Sequence, residues 1–197
     1  MSIEENMTAI LRFKKALREL NVPDDVTAQI MSGYETISDK SSKKMRAAFF
    51  IDAVNRMDAL LGSQMCHDVR DACTCSTGGW RLKATRKVAK EYAGRPLAEK
   101  LQALGEVRYM GKPVLNEDGT ITAHIGEDGG FDCPCPVFNK APIEGPVPIG
   151  YCYCCGGHFR FHYQIALGLK LRTKAVLSST LASNHTQPCR FVYEIVE

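Results

Sequence analysis

Three cysteine pairs with a single residue between them constrain this chain more than any other feature: Cys73-Thr74-Cys75, Cys133-Pro134-Cys135 and Cys152-Tyr153-Cys154. The third lies within Tyr151-Cys152-Tyr153-Cys154-Cys155-Gly156-Gly157-His158-Phe159-Arg160-Phe161-His162, where two glycines follow the cysteines. This order predicts an extended Cys-x-Cys stretch, a Gly-Gly turn, and a helix starting near His158. Thiolates placed just before a helix N-terminus are favoured by the helix dipole, which lowers thiol pKa and readies sulfur for a metal.

A tetrahedral zinc site holds sulfurs at about 2.3 Å from the ion, hence within about 4 Å of one another. Residues i and i+2 reach that separation on an extended or turning segment, whereas on a helix they point about 200° apart. Cys133 and Cys135, where proline blocks a helix, and Cys152 and Cys154 are therefore the first expected ligands. Cys73 and Cys75, at a break between two predicted helices, come next. Four thiolates would make a closed, structural site; three with an open position could activate water. In that case His158 and Cys155 are the candidate catalytic groups. Cys66 sits two helical turns before Cys73, about 10 Å away along the axis, so it is a ligand only if the helix breaks and otherwise a small buried hydrophobe. Cys189 opens an alternating strand and is expected in the core. His158 and His162 share a helix face, but no glutamate follows His158 to make a zinc-protease motif. His67 and Asp68, beside Cys66, could face the same cleft, and His124 and His185 are expected at the surface.

Nine cysteines in a chain of 197 residues raise the question of disulfides. The count is odd, and the N-terminus lacks the basic start and apolar core of a secretory signal. The expectation is a cytoplasmic protein, where clustered thiols stay reduced and bind metal or react. A net charge of +3 does not by itself imply nucleic acid or an anionic membrane. Arg12, Lys14, Lys15 and Arg18 are accordingly expected as a solvated helix face, with no helix-turn-helix following. No apolar run approaches the roughly 20 residues of a membrane span.

Helical periodicity covers residues 3–20, a short stretch through Met31 with Asp24 or Asp25 as its cap, and residues 36–62, where Phe50, Val54, Met57 and Leu61 share a face and Gly62 ends the helix. Further helices are predicted over Ser63 to Ala72, Trp80 to Tyr92 (inner face Leu82, Thr85, Ala89, Tyr92), and from Arg95-Pro96 to near Leu104. From Gly105 the pattern turns to strands. Asn116-Glu117-Asp118-Gly119 lies between residues 107–115 and 120–125, a hairpin signal. The helix from about His158 stops at Gly168, and strands follow over residues 171–179 and 189–196. The expected architecture is α+β: N-terminal helices packed with an antiparallel sheet and a crossing helix, organised as a helical extension (residues 1–62) and a cysteine-rich domain (residues 63–197). Residues 1–62 could dock on that domain or mediate homodimerisation. No nucleophile elbow, phosphate loop or dinucleotide fingerprint is present, and Gly126-Glu127-Asp128-Gly129-Gly130 is expected to be a turn.

The stretch Tyr151–Gly157 leading into an aromatic-rich helix, the strand Lys174–Leu181, and the closing Pro188-Cys189-Arg190-Phe191-Val192 together resemble the C-terminal half of the 4-vinyl reductase (hydrocarbon-binding) domain family. That group is also similar to proteins described as L-2-amino-thiazoline-4-carboxylic acid hydrolase-like. The resemblance covers about residues 105–197 and implies an α+β ligand-binding domain around a small-molecule pocket. Some members of the family bind zinc partly through two cysteines near the C-terminus, the second in a Cys-x-Phe context that Cys189-Arg190-Phe191 matches. The first would lie about eight residues earlier, where this chain has Leu181, so that metal site does not carry over intact.

The sequence thus supports a metal-binding domain, with zinc as the expected ion, that binds or senses a small molecule. Its rivals are a metal-assisted hydrolase or lyase using His158 or Cys155, and an iron–sulfur or thiol redox protein.

Overall fold

The computed structural model describes residues 7–75, 77–126, 131–143 and 145–196. Six helices precede the sheet: α1 (Ala9–Glu19), α2 (Asp24–Met31), α3 (Lys43–Leu61), α4 (Ser63–Ala72), α5 (Gly79–Glu91) and α6 (Leu97–Gly105). The hairpin β1 (Lys112–Leu115) and β2 (Ile121–Ile125) follows, then a 3-10 turn (Ile149–Cys152), α7 (Tyr153–Leu167), β3 (Lys170–Ser178) and β4 (Cys189–Val196). The four strands form one antiparallel sheet in the order β1-β2-β4-β3, so the class is α+β as the periodicity implies.

Local chemistry sets several boundaries. Ser42 caps α3, its hydroxyl accepting from the Met45 N–H at 3.2 Å, so that helix begins later than the apolar pattern alone suggests. Pro23 occupies the cap position of α2, and Asp24 and Asp25 sit inside its first turn, where the dipole favours them. On α5 the buried positions are Thr85 and Val88, a small rotation from the expected face. Gly168, in the left-handed region at φ 70°, ends α7 where the sequence places its stop.

The larger correction concerns α7. The chain is helical from Tyr153, not from His158, and Gly156 and Gly157 lie inside the helix rather than in a turn. Burial explains this. Ten of the fifteen α7 residues are buried, and the helix packs against α4, α5, α6 and β3, so tertiary contact outweighs the poor helix propensity of paired glycines. A Cβ on Gly157 would stand 2.3 Å from Thr74 Oγ1 and 2.5 Å from the Asp71 carbonyl oxygen, and one on Gly156 would stand 3.2 Å from Thr173 Cγ2. The glycines admit close neighbours on either side of the helix. Tyr193 Oη donates to the Gly156 carbonyl at 2.9 Å and Tyr163 Oη to that of Met110 at 2.7 Å, tying α7 to β4 and to the turn before β1.

The N-terminal helices share this core. Phe13 meets Phe49 and Phe50 edge-on, Phe50 meets Tyr151, and Tyr151 meets Phe138, a continuous chain of rings from α1 to the start of α7. Among the described residues, no helix is long and apolar enough to cross a membrane.

Candidate functional site

Because α7 begins at Tyr153, Cys154 and Cys155 stand in its first turn, where backbone N–H groups lack helical partners and the dipole is positive. Cys154 and Cys155 line a pocket of about 160 Å3 together with Cys73, Cys75, Cys135 and His158. Three separate segments supply these thiols: the end of α4, the proline-flanked Cys135, and the first turn of α7. The close approach at Gly157 holds residues 71–74 against α7 and so brings Cys73 and Cys75 to the other thiols.

His158 Nδ1 lies 2.6 Å from the Cys75 carbonyl oxygen. A carbonyl only accepts, so Nδ1 carries the proton and Nε2 keeps its lone pair. Burial, outweighing that hydrogen bond, pushes the ring down to about 4, so it is neutral at pH 7.

Three arginines line the same pocket: Arg12 from α1, Arg70 from α4 and Arg81 from α5. Arg70 is 2% exposed, and among the described residues no carboxylate forms an ion pair with it. Its Nε and Nη2 both donate to the Tyr151 carbonyl at 3.3 Å, and its guanidinium lies 4.3 Å from the Tyr151 ring centroid and 5.1 Å from that of Phe50. Leaving a buried charge without a counter-charge costs several kcal/mol. Burial works against the Arg70 charge, and among the ionisable groups around it Cys154 acts on it most strongly. A hydrogen bond from Cys155, and then the positive charges of Arg70 and Arg12, bring the Cys154 thiol down to about 6 against the opposing effect of burial. Cys155 is raised because it donates to Cys154 and is buried beside it. Burial pushes Cys66 and Cys73 up to about 11 and Cys133 up to about 12, and raises Cys135 and Cys152.

The expected ligands divide into two groups. Cys73, Cys75, Cys135 and Cys154 line the pocket, with the candidate catalytic pair Cys155 and His158 beside them. Cys133 and Cys152 do not line it. The expected Cys152–Cys154 pairing fails for the reason that rules out i, i+2 ligands on a helix: once the segment coils, the two side chains diverge. Cys152 Sγ is 2.8 Å from Ser179 Oγ, and Cys133 lines a separate cleft with Leu181 and His185. Cys189 Sγ accepts from the Thr180 N–H at 3.4 Å, on the sheet side of the molecule. Cys66 is core, its thiol 3.7 Å from the Val54 carbonyl oxygen. His67 stacks on Tyr153 at 3.9 Å and Asp68 accepts from Gln64, so neither lines the pocket. His162 is buried 4.8 Å from His158 by ring centroids, and His185 Nδ1 meets the Phe131 carbonyl at 2.8 Å. Among the described residues, no group of three or more His, Cys, Asp or Glu side chains is arranged to hold a metal ion.

The arginines were the missed residues. Arg12, expected on a solvated face, instead lines the pocket. A signal existed for Arg70: it falls on the stripe Cys66, Val69, Arg70, Cys73 at helical spacing, a charge on an otherwise apolar face. The known protein families, the curated proteins and the solved structures compared with this chain yield no match.

Proposed function

We propose that the protein carries a thiolate-bound metal centre at the N-terminus of α7, with ligands drawn from Cys73, Cys75, Cys135, Cys154 and Cys155. The observation that carries this reading is the convergence of five thiols from three distant segments on one small pocket. The buried Arg70 supports it. A four-thiolate centre of zinc or of iron and sulfur carries net negative charge, which the arginines of the pocket would offset. Zinc draws four sulfurs to within about 4 Å of one another and leaves no internal space. A pocket of about 160 Å3 lined in part by the thiols leaves room for a polynuclear iron–sulfur centre as well as for a single zinc ion. Such thiols require a reducing compartment, and none of the nine cysteines is disulfide-bonded, which supports a cytoplasmic location.

Single Cys-to-Ser variants, assayed for metal content and for folding by circular dichroism, test the assignment. Cys135→Ser and Cys154→Ser are expected to lose the metal and keep the fold, while Cys152→Ser and Cys133→Ser keep both. Metal retained in the first pair and lost in the second would move the centre to the sheet side.

A second reading rests on the acidity of Cys154. A thiolate that lines one pocket with a neutral His158 is a nucleophile that shares its site with a base, the pattern of a hydrolase or lyase on a small substrate, and the adjacent Cys155 allows thiol redox chemistry. Full thiol reactivity and no bound metal in protein purified without chelator would favour it.

A further inference from the structure

A cleft of about 710 Å3 opens beside the thiol pocket and shares Arg81, Pro134 and Phe159 with it. Small-molecule sites typically measure about 300–1,000 Å3. One wall is the turn over residues 106–111, and its tip is unusual. Tyr109 holds φ at 62°, in the left-handed region, where a non-glycine residue is strained, and its side chain is 57% exposed. Gly111 fastens the turn to β2, where a Cβ would stand 2.6 Å from the His124 carbonyl oxygen. Trp80, itself 48% exposed, meets Tyr109 edge-on at 6.3 Å. The Arg81 guanidinium lies 5.2 Å from the Trp80 ring and that of Arg108 lies 4.5 Å from the Tyr109 ring. Among the described residues, Arg81 Nε is buried without a hydrogen-bond partner. Two aromatic rings kept at the surface, one at the expense of backbone strain and each paired with an arginine, contribute little to packing. They offer a stacking face and forked donors for an oxyanion.

We propose that this cleft binds a flat aromatic anion of about nucleotide size, its ring against Tyr109, which Trp80 backs from outside the cleft, and its anionic group held by Arg81 and Arg108. The inner end of such a ligand reaches the wall of the thiol pocket. The site stands on its own geometry and does not require the metal centre.

The test uses the full chain and two probe pairs in equilibrium dialysis: AMP against adenosine, and 2-naphthoate against 2-naphthol, with inorganic phosphate as a further control. Trp80, the single tryptophan, reports the location of AMP through quenching of its fluorescence. At least one anion is expected to bind saturably. Its neutral counterpart and phosphate alone should bind about tenfold more weakly or worse, as loss of a charge-assisted hydrogen bond or of stacking implies. Arg81→Gln and Arg108→Gln should each weaken binding to a similar degree. Tyr109→Gly should weaken it while raising the melting temperature, which separates lost stacking from lost fold. Binding that persists in Cys154→Ser protein keeps this site distinct from the metal reading. No saturable binding of either anion, equal binding of the neutral partners, or full binding in Arg108→Gln would overturn the proposal; AMP alone or naphthoate alone would support it and name the anion class.

Discussion

Two buried ionisable residues set the chemistry of the pocket. Arg70 lacks a carboxylate partner among the described residues, and Cys154 is the thiol made acidic by a hydrogen bond from Cys155 and then by the Arg70 charge. In metal-free protein, site-resolved alkylation of Cys154 by iodoacetamide should rise with a midpoint near pH 6, against about 8.5 for an ordinary thiol. Arg70→Met should move that midpoint upward, and Arg12→Met, at a less buried position, should move it less while leaving the fold intact. A midpoint near the ordinary value in the wild-type protein would contradict the pairing. A depressed folded pKa contributes stability that is present above about pH 8.5 and is lost as pH falls toward 6.

Among the elements, α7 decides where the thiols go. On an isolated helix Gly→Ala would stabilise by about 0.5–1 kcal/mol. At position 157 the added methyl meets Thr74 Oγ1 and the Asp71 backbone, so Gly157→Ala should destabilise by about 1–3 kcal/mol and separate Cys73 and Cys75 from the pocket. Urea denaturation with metal content as a second readout checks this, and a gain in stability would refute the close-packing role. The glycines also mark the limit of what the sequence reveals. Apolar spacing defines α2, α4 and the strands β3 and β4 closely, because each buries one face and shows its period. Gly156-Gly157 reads as a turn from local propensity alone, since the neighbours that need the missing side chains, Thr74 and Thr173, lie 83 and 17 residues away along the chain. From that one misplaced helix start follows the choice of Cys152 over Cys155 as a pocket residue. His158 was legible beside the cysteines, whereas its carbonyl partner at Cys75 was not, because the contact depends on the same close approach.

At the scale of the whole molecule, the pocket draws on α1, α4, α5, α7 and the proline-flanked Cys135, so the N-terminal helices are part of the site through Arg12 and part of the core through Phe13. Acid should therefore unfold the metal-free chain through groups at this junction. His158 is neutral when folded, with a pKa near 4, and titrates near 6.5 when unfolded. The unfolded state binds the extra proton, so stability should fall by on the order of 3 kcal/mol as pH drops from about 6.5 to 4. His158→Gln should flatten that segment of a pH–stability profile measured by urea midpoints, and an unchanged slope would remove His158 from the account. The central claim, a thiolate-bound metal centre at the head of α7, is tested most directly by elemental analysis and the visible spectrum of protein purified anaerobically without chelator or added metal. Bound metal is the expected result, either iron with acid-labile sulfide and brown colour, for which the pocket has room, or colourless zinc as the simpler form. Protein without metal, in which all nine cysteines titrate as thiols, would contradict it.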